Sequence, residues 1–362
     1  MSRARLRDLG IKIGSLPVGP LNAITDVPDV WVGHATVIHD EPHVARTGIT
    51  MILPRQGAIG HDYAFAGFHR FNGCGEITGV QWLEETGLLS SAIALTNTRQ
   101  VGMVRDAMSE ISFSHPQFGP FWLPVVAETY DGFLNDMSAL PLTRQHVLDA
   151  MQSASGGPVP EGNVGGGTGM ICHEFKGGIG TSSRMVAIKS GTYTVGVLVQ
   201  TNYGERSQLR VNGVPVGLEL GYTKVPGPWQ APPLSSSIIV VIATDAPLLA
   251  DQCRRLAQRA ASGLARTGGI GQNTSGDLFL AFATGHHIPA GADGPIQLGV
   301  MLPNQQLNPF FEAVADAVEE SILNALTAAE TMTGYQGHTV NALPLDELQQ
   351  VMSRYRRIDT NQ

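Results

Sequence analysis

One stretch constrains the fold more than any other. Ser237-Ile238-Ile239-Val240-Val241-Ile242-Ala243 emerges abruptly from a segment, 204–236, punctuated by Gly204, Gly213, Pro215, Gly217, Pro226, Gly227, Pro228, Pro232 and Pro233. An uninterrupted β-branched run of this kind predicts a buried strand. Immediately after it, Asp245 and Pro247 supply a helix start. Leu248, Leu249, Cys253, Leu256, Ala260 and Leu264 give that helix an apolar stripe, and Gly268-Gly269 a stop. A buried strand followed by a long amphipathic helix predicts a layered α/β domain.

The rest of the chain fits such a domain. Residues 30–32, 50–53, 91–96, 123–128, 278–283 and 296–302 read as strands. Residues 80–88, 101–108 and 142–152 read as helices, the last with Thr143 as its cap and Gly156 near its end. Segments 185–189 and 192–200 flank Ser190-Gly191, a two-residue hairpin turn. A long helix is predicted from Asn308-Pro309, with Asn308 as cap, to Gly334. Phe311, Val314, Val318, Ile322 and Leu326 line one side of it. The segment 204–236 is too long for an ordinary turn and reads as an extended connection. In 343–355 the apolar spacing suits a helix packed on its own subunit or at a subunit interface.

Composition narrows the function. A net charge of -8 argues against a protein that coats nucleic-acid phosphates. With 43% hydrophobic and 15% charged residues the chain has ample material for a core. No apolar run is long enough for a membrane helix. The first residues lack the apolar core of a signal peptide, and Cys74, Cys172 and Cys253 are odd in number and far apart, so a reduced, cytoplasmic setting is expected. Glycine is enriched, 43 residues in 362, against a usual level of roughly 7%. This implies many tight turns and close backbone approaches.

Several residue sets carry candidate chemistry. The run Gly162-Asn163-Val164-Gly165-Gly166-Gly167-Thr168-Gly169 lacks the Lys-Ser/Thr ending of a phosphate loop, so backbone packing is its expected role. His39, His43, His61 and His69 form no convincing ligand pattern, so neither metal nor cofactor is expected. Ser235-Ser236-Ser237 is different. A hydroxyl residue that ends an irregular connection and opens a buried strand has the layout of a self-cleaving hydrolase. After cleavage its Oγ is a nucleophile, and its own α-amine is a possible base. Ser275-Gly276-Asp277 again stands just before a strand and can aim a hydroxyl and a carboxylate at one point. Glu128, Tyr130 and Asn202 also end apolar strands, which suits a cleft at one sheet edge.

Taken together, Asn22 to Pro28 (NAITDVP), Val125 to Asp136 (VVAETYDGFLND), Gly162 to Met170 (GNVGGGTGM), Leu198 to Gly204 (LVQTNYG) and Ser237 to Leu248 (SIIVVIATDAPL) resemble the DmpA/BapA family. These are the L-aminopeptidase/D-esterase and β-peptidyl aminopeptidases, and the resemblance runs from about residue 20 to 335. It implies a single αββα sandwich over 1–362, like the N-terminal nucleophile hydrolases but with different strand connectivity. It also implies self-cleavage between Ser236 and Ser237, giving chains 1–236 and 237–362, and assembly as a homotetramer. By the same resemblance Ser237 is the nucleophile and Ser275 its neighbour. Asp277 stands where the family commonly has Glu. Tyr130 and Asn202 hold the oxyanion, and Glu128 meets the substrate's free amine. The implied activity is release of N-terminal residues from short peptides, amides or esters through an acyl-enzyme. Either the Ser237 α-amine or the Ser275/Asp277 pair can accept the proton. The alternatives are an acyltransferase and an unprocessed binding protein on the same scaffold.

Overall fold

A computed structural model describes residues 3–229 and 236–358. In chain order its main strands are β1 (Trp31–His39), β2 (Ala45–Leu53), β3 (Asp62–Gly73), β4 (Leu88–Leu89), β5 (Ile93–Asn97), β6 (Val125–Thr129), β7 (Ile171–Cys172), β8 (Phe175–Lys176), β9 (Gly178–Ile188), β10 (Gly191–Asn202), β11 (Ser236–Thr244) and β12 (Ser275–Pro289). The helices are α1 (Val80–Thr86), α2 (Val101–Ser114), α3 (Arg144–Gln152), α4 (Val216–Glu219), α5 (Ala250–Arg266), α6 (Asn308–Ala328) and α7 (Leu345–Arg354).

The apolar run that dominates the sequence is the middle of β11. Ile238, Val240 and Ile242 enter one core and Ile239, Val241 and Ala243 another. A strand apolar on both faces needs a cover on each side. On one side α5 and α6 supply it, through Leu256, Ala260, Val314 and Val318. On the other side lies a second sheet, through Ile52, Ile93 and Leu95. The six-stranded sheet has the order β4-β3-β12-β11-β10-β9 and the four-stranded sheet β1-β2-β5-β6. Helices α2 and α3 cover the outer face of the smaller sheet through Val104, Met108 and Val147. The layers therefore run α-β-β-α. Among the described residues only β11/β12 and β5/β6 are parallel neighbours, each joined by a crossover helix, α5 and α2.

Several local expectations are corrected. Asp245 does not cap α5, which starts at Ala250; its Oδ1 accepts the Thr194 N–H at 2.7 Å and ties β11 to β10. The hairpin turn is Lys189-Ser190, with Gly191 already in β10. Helix α6 is capped by Leu307, with Asn308 its first residue, and it ends at Ala328, well short of Gly334. Beyond that end, Asn163 Oδ1 takes the Glu330 N–H. Residues 296–302 form no strand and join neither sheet; Ile296, Leu298, Val300 and Met301 are exposed. As far as it is described, the segment from 204 is not an extended connection. Leu209, Val211, Val214, Val216 and Leu220 are buried in the helix-side core. In α7, Leu345, Leu348, Val351 and Met352 are buried in their own chain.

The glycine run works as packing. Gly165–Gly167 form a short 3-10 turn wedged between the sheets. A Cβ on Gly166 would lie 2.1 Å from Gln200 Oε1 and 2.6 Å from the Leu95 carbonyl oxygen. Gly166→Ala is therefore expected to cost about 1–3 kcal/mol through overpacking. A denaturant melt checks this, and an unchanged midpoint would contradict it.

Candidate active site

Strand register brings four of the predicted residues to one place. In the antiparallel ladder Asn202 of β10 pairs with Ser237 of β11. In the parallel ladder Ser236 pairs with Ser275, Ser237 with Gly276, and Ile238 with Asp277. Three neighbouring strand ends thus carry Asn202, Ser237, Ser275 and Asp277 side by side.

Ser237 is 1% exposed. Its hydroxyl donates to the carbonyl oxygen of Ser236 at 2.5 Å, and its Oγ accepts the Gly276 N–H at 3.3 Å. The Ser275 hydroxyl donates to Asp277 at 2.6 Å. Burial pushes the Asp277 carboxyl up to about 6, against the lowering effect of the hydrogen bonds from Ser275 and the Ile238 backbone. A carboxylate with that pKa, joined to a hydroxyl, can accept a proton near neutral pH. Asn202 Oδ1 accepts the Ile171 N–H at 2.8 Å, which leaves its Nδ2 as the donor end of the amide.

A cavity of about 200 Å3 opens beside this row, lined among others by Tyr130, Asn202, Ser236, Glu174, Glu205 and Trp229. The Ser236 Oγ is buried and has no hydrogen-bond partner among the described residues. Ser235 lies outside the described residues. Glu128 is placed differently: it does not line the cavity and is 3% exposed. Its oxygens accept the Glu76 N–H at 3.0 Å and the Thr98 hydroxyl. A Cβ on Gly75 would sit 3.3 Å from Glu128 Oε1 and 3.1 Å from Gly276 Cα, so Glu128 stands one backbone away from Gly276. Burial, the largest cause, raises its pKa.

Sequence reasoning missed the cavity's other wall. Glu174 follows His173, and both have left-handed backbone, φ 60° and 48°. No glycine marks the turn, so nothing in the sequence pointed to it. Arg206 holds that turn, donating to the carbonyls of His173 and Glu174 and to those of Leu220 and Val225. Its guanidinium also lies 3.7 Å from the Phe175 ring centre. These contacts fix the backbone around Leu220 and Val225; further along, the Trp229 ring meets Phe133 edge-on at 5.3 Å. His39, His43, His61 and His69 do not converge, and among the described residues no group of three His, Cys, Asp or Glu is arranged to hold a metal ion.

A four-layer sandwich with a serine near the start of its central strand has the architecture of the N-terminal nucleophile hydrolases. Comparison with known proteins narrows the class. Residues 22–340 match peptidase family S58, and the chain belongs to that family. It is 45% identical to the beta-peptidyl aminopeptidase BapA of Sphingosinicella microcystinivorans, over 98% of this chain and 93% of that one. A Burkholderia sp. beta-aminopeptidase structure superposes with a TM-score of 0.90 at 49% identity, covering 97% of this chain and 99% of that one. The L-aminopeptidase D-Ala-esterase/amidase of Ochrobactrum anthropi, described as a prototype for the serine aminopeptidases and a new variant among the Ntn hydrolase folds, gives 0.89 at 40% identity, covering 98% and 99%. The chain is thus a peptidase, and nothing in these likenesses favours an acyltransferase or a binding protein.

Proposed function

We propose that this peptidase is a self-processing serine aminopeptidase whose nucleophile is Ser237. The observation that carries the reading is the Ser237 hydroxyl lying against the Ser236 carbonyl, with Gly276, Ser275 and Asp277 beside it. In the uncut chain Ser237 Oγ attacks the Ser236 carbonyl carbon. The C–Oγ bond forms, the C–N bond to Ser237 breaks, and the hydroxyl proton ends on the freed amine. Water then opens the ester, giving chains 1–236 and 237–362. Before that cut the α-amine of Ser237 does not exist as a base. The first proton therefore goes to the Ser275–Asp277 pair, and afterwards the amine is a second acceptor.

In the mature enzyme Ser237 Oγ attacks the bond after a substrate's N-terminal residue and forms an acyl-enzyme that water hydrolyses. Asn202 Nδ2 and the Tyr130 hydroxyl donate to the oxyanion. Glu128 is the carboxylate that the resemblance assigns to the substrate ammonium. Glu174 and Glu205 add negative charge to the cavity wall. Substrates are short peptides, amides or esters with a free amine, in keeping with the relatives' names. We further propose a cytoplasmic homotetramer. The apolar face of α7 is already buried within its own chain, whereas Ile296, Leu298, Val300 and Met301 are free for such an interface. Among the described residues no helix is long and apolar enough to cross a membrane.

The pH dependence of self-cleavage tests the proton acceptor. Below its pKa of about 6 Asp277 is protonated and accepts nothing. Cleavage is expected to slow about tenfold per pH unit below that point, and Asp277→Asn to remove the limb. A flat profile from pH 5 to 7.5 would contradict the assignment. The same raised pKa means that the folded state holds a proton the unfolded state has released. This contribution to stability is present at low pH and is lost as pH rises through about 6.

A further inference from the structure

Lys176 is 0% exposed, and its ammonium makes no ion pair with a carboxylate among the described residues. Its Nζ donates instead to three backbone carbonyls: Met170 and Gly177 at 2.8 Å, and Gly167 at 3.3 Å. An ammonium has three donors and no acceptor, so the cage matches it in number. Burial still lowers its pKa, to about 7, with Cys172 the titratable neighbour that opposes the shift. A methionine would fill the same space without the cost of burying a charge. The charge therefore calls for a reason beyond packing.

The reason lies one peptide away. The Met170 carbonyl that Lys176 holds also accepts the Gly177 N–H at 3.0 Å. The N–H of that same peptide unit, on Ile171, donates to Asn202 Oδ1 at 2.8 Å. A single peptide plane is thus gripped at its oxygen by a cation and at its nitrogen by the side chain of Asn202. Hydrogen bonds in such a chain polarise one another. Withdrawing electrons at the Met170 oxygen makes the Ile171 N–H a stronger donor. That draws electrons onto Asn202 Oδ1 and leaves Nδ2–H more acidic.

We infer that Lys176 is a positioning residue for the reaction: through the Met170–Ile171 peptide it orients and polarises the Asn202 amide. The inference rests on the proposal that Asn202 donates to the oxyanion. It explains why a charged side chain occupies a fully buried position at the base of the β7–β8 hairpin. It also gives the glycine turn a second role, since Gly167 supplies part of the cage.

The test is a double-mutant cycle on the self-cleavage rate, followed in cell-free synthesis of the full chain. It uses Lys176→Gln, Asn202→Ala and the pair. Gln keeps two N–H donors but no charge. Lys176→Gln is expected to slow cleavage roughly five- to tenfold, a fraction of the about 10²–10³-fold that an oxyanion donor supplies. In the Asn202→Ala background the same change is expected to slow it less than about twofold, because the partner through which Lys176 acts is gone. Equal losses in both backgrounds overturn the inference and leave Lys176 purely structural. No loss in Asn202→Ala alone overturns the oxyanion reading itself.

A measurement on Ser237→Ala needs no Lys176 variant to fold. With ¹⁵N-lysine and backbone labelling, Lys176 must show a slowly exchanging ammonium at pH 6, and the Ile171 amide resonance must move as that ammonium titrates. A neutral amine at pH 6, or an Ile171 signal indifferent to the titration, overturns the inference.

Discussion

Ser237→Ala is expected to leave the chain uncut and to remove aminopeptidase activity, with a fall in kcat/KM of roughly 10⁴–10⁶-fold, the scale on which enzymes lose an essential nucleophile. No neighbour can substitute. The Ser275 hydroxyl is committed to Asp277, and the Ser236 Oγ belongs to the acyl side of the bond to be cut. The change removes one hydroxyl from a strand otherwise held by two ladders, so stability should move by no more than about 1 kcal/mol. Hydrolysis of an amino-acid p-nitroanilide alongside a thermal melt separates the two effects. Retained hydrolysis in a folded, uncut variant would show that another group is the nucleophile.

Asn202→Ala is the second large loss, about 10²–10³-fold in kcat, the usual cost of one oxyanion donor. KM should change far less, because the donor acts on charge that develops only in the transition state. Asn202→Asp sharpens the test. It keeps an oxygen for the Ile171 N–H, so the local structure survives, but it sets a carboxylate where a donor is needed. Its activity is expected to be no better than that of Asn202→Ala. Steady-state kinetics on both variants checks this. A loss confined to KM would move Asn202 from the oxyanion to ground-state binding.

The central strand was legible because its signal is local: six apolar residues without a break, following a segment punctuated by proline and glycine. The row Asn202–Ser237–Ser275–Asp277 was also within reach, since each member stands at the end of an apolar run. What brings them together is strand register, a long-range property that only the folded sheet supplies. The glycine run was correctly expected to be packing, but its neighbours, Gln200 and Leu95, come from two different sheets. The apolar segment 296–302 failed as a strand because apolar content alone does not decide whether a sheet takes a segment up; its large side chains stay exposed. The chemistry around Lys176 and Arg206 was missed for a different reason. Both cations are satisfied by backbone carbonyls, which no side-chain motif announces.

The central claim is that folding produces a new N-terminus at Ser237. Mass measurement of the denatured, freshly folded wild-type chain tests it most directly. The account predicts two chains, 1–236 and 237–362, the second beginning Ser-Ile-Ile-Val. A single chain of 362 residues that nevertheless hydrolyses peptides, or a cut at any other bond, would contradict it.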